Sequence, residues 1–189
     1  MNPYFKFLNE IGTISENTFK QLSNLSEFKK YSSKIQLAEA GKIPSKVFML
    51  VSGVLRAYIS LETGKQHNKR LYSAPSFAGA LTSMIKNEPS IIALETLTDC
   101  EVIEIDYHGF KQLCENNIEI NQLYAKVLEL AFIAYEERNL DLMTLSATER
   151  YLKLKKQIPG IEDIIPQYQI ASYLNITPVQ LSRIRKSLK

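Results

Sequence analysis

The amino-acid sequence predicts an α+β chain in three parts: an N-terminal antiparallel β-roll (a double-stranded β-helix), one long helix, and a C-terminal all-α unit of helix-turn-helix type. Three observations carry that expectation. Short β-rich runs crowd residues 33–106 and are broken by turn residues at Gly41, Gly53, Gly64 and Pro75. A single helical pattern then runs through residues 118–146. The last 23 residues, 167–189, hold no acidic residue and follow the spacing of two short helices joined by a tight turn.

Taken in order, the first thirty residues read as helical, with Ser15 as a cap ahead of Phe19 and Leu22 and packing as their role. Strands are expected at 46–51, 54–59, 69–73, 90–96 and 100–106. Spaced so closely, with no long helix between them, they imply an antiparallel sandwich or barrel, and a roll fits. Asp106 caps a short helix with Phe110 and Leu113 inward, and Asn116 and Asn117 interrupt the chain before the long helix. At about 1.5 Å per residue that helix reaches roughly 43 Å, too long for a small roll to cover. Ile120, Leu123, Val127, Leu130 and Ala134 fall on its heptad a and d positions before Glu137 breaks the pattern. Two copies pairing along this seam make a homodimer; the alternative is a seam packed on the chain's own domain. Residues 147–157 form another helix and 158–163 a joint, so the expected divisions are 1–117, 118–146 and 147–189.

The C-terminal unit needs apolar residues where its two helices cross, and Ile170, Leu174, Ile176, Leu181 and Ile184 supply them. Ala171 is small where the second helix crosses, and Asn175 stands at the turn, being among the few residues other than glycine that tolerate positive φ. Thr177 caps the second helix, Pro178 suits its first position and Gln180 completes a capping box. Leu181, Ile184 and Leu188 then form an inward stripe, which sets Val179, Arg183 and Lys186 on the opposite face with Gln180 and Ser187 beside it. A helix in a DNA major groove needs long donors, because arginine bridges guanine O6 and N7 while lysine neutralises phosphate. The candidate DNA contacts are Thr177, Pro178, Val179, Gln180, Ser182, Arg183 and Lys186, with Arg183 reading a base. The bland alternative, an amphipathic helix with a solvated basic face, accounts for only half of the pattern.

Charge agrees with that assignment. Residues 147–189 carry eight basic and three acidic residues against 15 and 17 in the rest, so a net +3 divides into +5 and −2. Such a split suggests a nucleic-acid-binding tail on a near-neutral body. With 45% hydrophobic residues the chain is globular, and with neither 18 consecutive apolar residues nor a signal-peptide start it is expected in the cytoplasm, away from membranes. Cys100 and Cys114 lack companions for a metal or cluster site and read as buried small hydrophobes. His67 is expected on an exposed turn and His108 at a helix start. No convergent histidines and carboxylates, nucleophile triad, phosphate loop or dinucleotide fingerprint is present, so neither an enzyme, a metal nor a cofactor is expected.

The order of roll, long helix and helix-turn-helix resembles the Crp/Fnr family of transcription regulators over nearly the whole chain. Val47-Phe-Met-Leu-Val-Ser-Gly53-Val-Leu-Arg56 resembles the family's strand, glycine turn and following strand, and Ser182-Arg183-Ile184 its recognition-helix core. The resemblance implies a cyclic-nucleotide-binding-like roll, a homodimer, a double-stranded DNA operator, a base contact at the place of Arg183, and RNA polymerase as a further partner. The family's preceding Arg-Glu pair falls on Pro178 and Val179, so its operator sequence does not transfer. Members that bind cyclic nucleotides hold the ribose and phosphate with a Phe-Gly-Glu segment and a later arginine. Here Phe77-Ala78-Gly79-Ala80 and Glu88-Pro89-Ser90-Ile91-Ile92-Ala93 hold neither the glutamate nor the arginine. An anionic phosphate entering a buried pocket needs a charge-assisted donor, so cAMP is not expected. What remains is a candidate effector pocket of Phe77, Gly79, Leu81, Ser90, Ile91 and Ile92 for an unidentified small molecule; the alternative is that these residues are core.

The function expected is therefore a dimeric DNA-binding transcription regulator with a degenerate effector domain. A small-molecule sensor or protein-interaction module with a vestigial helix-turn-helix is the alternative, because the sequence ends without the β-hairpin wing that follows the unit in many relatives.

Overall fold

A computed structural model describes residues 2–188; Lys189, included in the expected C-terminal unit, lies outside the described residues. Helices α1 (Pro3–Ile11) and α2 (Glu16–Ser23) lead into strands β1 (Ser26–Tyr31), β2 (Gln36–Ala38), β3 (Lys46–Ser52), β4 (Val54–Ser60), β5 (Gln66–Ser73) and β6 (Ser76–Ala78). Helix α3 (Leu81–Lys86) precedes β7 (Ala93–Thr96) and β8 (Cys100–Asp106). The remainder is helical: α4 (Tyr107–Asn116), α5 (Ile118–Thr144), α6 (Ala147–Gln157), α7 (Ile161–Ile164), α8 (Gln167–Tyr173) and α9 (Pro178–Ser187).

The strands form two antiparallel sheets in the orders β1-β8-β3-β6 and β2-β7-β4-β5. The chain passes between sheets from β3 to β4 through Gly53, whose φ is +92°. A Cβ there would stand 2.4 Å from the Asp99 carbonyl oxygen, so both the backbone and the space require glycine. Between the sheets, Phe48, Leu50, Leu55, Leu94 and Val102 make a sealed core. A second core joins α1, α2, α4 and the start of α5 to β8 through Leu8, Leu22, Ile105, Ile120 and Leu123. The third links Val54 and Leu71 of the roll to Tyr151, Leu154, Ile170, Leu174 and Leu181. The C-terminal helices thus pack directly on the roll.

Several expectations change in detail. Residues 26–30, read as helical, belong to strand β1, which pairs with β8 from Ser26 opposite Ile105 to Tyr31 opposite Cys100. Strands β2 and β6 span three residues each, too short to show a period. The strand expected at 90–96 starts at Ala93, since the Ser90 hydroxyl accepts from Ile92 N at 3.0 Å and bends the chain there. Lys46 to Ser52, Val54 to Ser60 and Cys100 to Asp106 lie as expected within a residue. Ser15 does cap α2, accepting from Thr18 N, and Asp106 caps α4 through Gly109 N.

Two of the five seam residues on α5 are not free for a partner. Ile120 is 0% exposed and Leu123 3%, both sealed against the chain's own helices. The helix leaves that cover beyond Val127, where Leu130, Phe132 and Ile133 are all more than half exposed, at 53%, 65% and 51%. The apolar stripe is therefore shared: its first turns belong to the chain's own core and its later turns face outward.

Candidate nucleic-acid interface and roll cavity

Helices α8 and α9 are set by local chemistry. Asn175 adopts φ +56° at the turn, and Ile176 N donates to Ala171 O at 3.0 Å to close it. At the start of α9 the Thr177 hydroxyl accepts from Gln180 N at 3.1 Å, while Thr177 N donates back to the Gln180 side-chain oxygen Oε1 at 2.8 Å. With Pro178 in the first turn, the capping box is complete. Ile170, Ala171, Leu174 and Leu181 are buried at 1% or less, and Ile176 and Ile184 partly. Leu188, expected in the inward stripe, is 47% exposed, because α9 ends at Ser187 and the stripe loses its last turn.

Thr177, Pro178, Val179, Gln180, Ser182, Arg183 and Lys186 are all exposed, together on the open side of α9. Arg185 is not part of this group: its Nε sits 2.8 Å from Glu162, which also takes Lys155 and the Tyr151 hydroxyl. Hydrogen bonds from Lys155 and Tyr151 hold the Glu162 carboxyl below its usual range, against the opposing effect of burial. Arg183 and Lys186 have no ion pair among the described residues, so their charges face solvent.

The opposite side of the unit carries a polar network that sequence reasoning missed. Arg56, Asn68 and Gln169 are 5%, 5% and 3% exposed. The Arg56 guanidinium donates to Glu95 at 3.1 Å, Gln66 at 2.8 Å and the Gln169 side-chain oxygen at 3.2 Å. Asn68 Nδ2 donates to the Gln169 side-chain and main-chain oxygens at 2.7 and 2.9 Å, and Asn68 N to the Ser172 hydroxyl at 2.9 Å. Every polar group buried between β4, β5 and α8 in this cluster thus has a partner, which makes the contact specific in register. At the end of α8, Arg138 donates to the Tyr173 carbonyl and Arg150 to that of Leu174 at 3.1 Å, placing cations where the helix leaves its acceptors open. No local signal marks these pairs, since more than 100 residues separate Asn68 from Gln169.

The six candidate pocket residues are not brought to one place. Phe77, Gly79 and Leu81 line a cavity of about 150 Å³ under α5. Gly79, Leu81, Ile91 and Ile92 border a wider cleft of about 1020 Å³ between the roll, α5 and α8. Ser90 lines neither, and its hydroxyl is spent on Ile92, donating to the carbonyl at 2.9 Å and accepting from the amide. Ile91 is 76% exposed. His67, expected on a turn, lies in β5 opposite Ile59; His108 is exposed in the first turn of α4, beside Gln112. Cys100 and Cys114 are buried, and burial pushes both thiols above their usual value. Among the described residues there is no cluster of three or more metal-ligating side chains, and no helix is long and apolar enough to cross a membrane.

Comparison with known proteins bears on this geometry. Residues 28–117 match the model of the cyclic nucleotide-binding domain. The chain is 25% identical over 170 residues to the cAMP-activated global transcriptional regulator CRP of Salmonella typhimurium, covering 85% of this chain and 81% of that protein. Its fold is similar to FixK2 of Bradyrhizobium japonicum, with a TM-score of 0.72 at 17% identity over 86% of this chain and 84% of that one. A protein of the crp/fnr family from Eubacterium rectale superposes with a TM-score of 0.73 at 16% identity, over 98% of this chain and 87% of its own.

Proposed function

We propose that this chain, which belongs to the Crp/Fnr family by its cyclic nucleotide-binding domain, its homology to CRP and its structural neighbours, is a dimeric regulator of transcription. It reads a pseudo-palindromic operator through the open face of α9. Arg183 contacts a base edge, Lys186 neutralises phosphate, and Thr177, Pro178, Val179, Gln180 and Ser182 complete the surface. The observation that carries this reading is the selective freedom of Arg183 and Lys186, exposed and without ion pairs among the described residues, while Arg185 between them is held by Glu162. An internal role for the helix would leave no reason for that difference.

The chain works in three parts: residues 1–117 as effector domain, 118–146 as dimerisation helix and 147–189 as DNA-binding unit. Pairing uses Leu130 and Ala134 with the outward Phe132 and Ile133, since Ile120, Leu123 and the partly buried Val127 pack against the chain's own core. Two such copies give half-sites about one DNA turn apart. The effector domain does not take cAMP. Ala80 and Ser90 stand where an acid and a cation would be needed, and Ser90 has no hydroxyl valence left for a phosphate.

Selection of bound sequences from a random duplex pool, run on the purified protein at two salt concentrations, tests the proposal. An enriched inverted repeat is the expected result. Binding that is salt-sensitive but never enriched, or no binding, removes the operator-reading role and favours an interaction module.

A further inference from the structure

The chain has six arginines, and four of them are committed: Arg56 to Glu95, Arg138 to the Tyr173 carbonyl, Arg150 to the Leu145 and Leu174 carbonyls, and Arg185 to Glu162. Arg183 faces solvent. Arg70 is the other exception: it is partly buried and lines both the 150 Å³ cavity and the wider cleft. Its guanidinium lies 5.1 Å from the Tyr72 ring, and among the described residues it enters no ion pair or hydrogen bond. The rest of that cavity is Phe77, Leu81, Met84, Leu123, Val127 and other apolar or phenolic side chains, with no acid among them. Tyr72 offers no internal counter-ion, because burial pushes its phenol up.

We propose that this cavity binds a small apolar monocarboxylate, its ring or chain among Phe77, Leu81, Met84, Leu123 and Val127 and its carboxylate held in the fork of Arg70. The inference rests on the reading of the roll as an effector domain and names the class of effector. The Arg70 guanidinium is partly buried at the cavity's edge with no protein acceptor among the described residues, which leaves it free to take a carboxylate through two parallel, charge-assisted hydrogen bonds. Size sets the class further, because an apolar cavity of about 150 Å³ holds roughly one benzene. A nucleotide does not fit inside, whereas a six-carbon acid or a single aromatic ring does. The larger cleft shares Arg70, Tyr72, Gly79, Leu81, Leu128 and Ala131 with the cavity and gives the carboxylate its way in. Since Leu123, Val127 and Leu128 belong to α5, occupancy acts on the helix that carries the dimer contacts.

Calorimetric titration of the full chain with benzoate and hexanoate, against benzamide and hexanamide, tests this without any variant. The acids should bind at least about tenfold more tightly than the amides, roughly 1.4 kcal/mol. Arg70→Gln should abolish that preference, Arg70→Lys should keep part of it, and melting curves show that each variant is folded. Equal binding of acid and amide, acid preference surviving in a folded Arg70→Gln, or no acid binding up to about 10 mM overturns the proposal. The duplex selection described above uses no acid. An enriched repeat without acid binding therefore removes the effector assignment alone, and acid binding without DNA binding removes the operator reading alone.

Discussion

The two faces of the helix-turn-helix unit are built from the same residue types and do opposite things with them. Toward the roll, Gln169 and Ser172 are closed into a buried network with Arg56 and Asn68. Toward solvent, Gln180 is used only to cap its own helix, and Arg183 and Lys186 are left open. Satisfied polar groups position the unit, and the unsatisfied ones are left free for the proposed recognition of DNA. Changes on the docked face should cost stability, and changes on the open face should cost DNA binding alone.

The largest effect is expected at Arg56. Arg56→Leu leaves Glu95 and the Gln169 side-chain oxygen buried without their cation, and urea unfolding should report a loss of about 3 kcal/mol. Leu181→Ala, at the crossing between the faces and 0% exposed, should cost about 2 to 3 kcal/mol in the same measurement and weaken every DNA sequence equally. Were Arg56→Leu no less stable than the wild type, the docked face would not be positioned by its network.

Legibility in the sequence divides along the same line. The open face rests on contacts three to five residues apart: the box between Thr177 and Gln180, and the turn that closes between Ala171 and Ile176. Residue order shows those directly. The docked face depends on partners from β4, β5 and β7, which the topology alone brings to α8, so Asn68 and Gln169 look like ordinary surface polar residues in the chain. Periodicity likewise showed that one side of α5 is apolar, but not that Ile120 and Leu123 are covered by the chain's own helices. The longer strands other than β1 were visible as β-rich runs between turn residues, and β1 and the three-residue strands were not. The candidate effector pocket was legible only as a loss: the missing charges at Ala80 and Ser90 can be read, whereas Arg70, on another strand, can be placed at the cavity only by the fold.

On the open face the effects are smaller and confined to DNA. Lys186→Ala should leave folding stability within about 0.5 kcal/mol, weaken all sequences alike and reduce the salt slope of binding by about 1. Smallest is the acid response of the clamp behind α9. Because the Glu162 carboxyl titrates below its usual range, its contribution is full at neutral pH and is lost as the pH falls through that depressed value. Wild type should therefore lose more stability than Glu162→Gln between neutral pH and about pH 3. Parallel curves for the two would show that Arg185 is not held by that charge.

Arg183 carries the central claim, and the most direct test is the affinity of wild type and Arg183→Ala for a selected inverted repeat and for random duplex, at matched salt. The account predicts that discrimination falls by about 1 to 3 kcal/mol per specific contact, while random-duplex affinity drops only by the loss of one charge and the melting temperature is unchanged. Undiminished discrimination in a folded Arg183→Ala protein would contradict it.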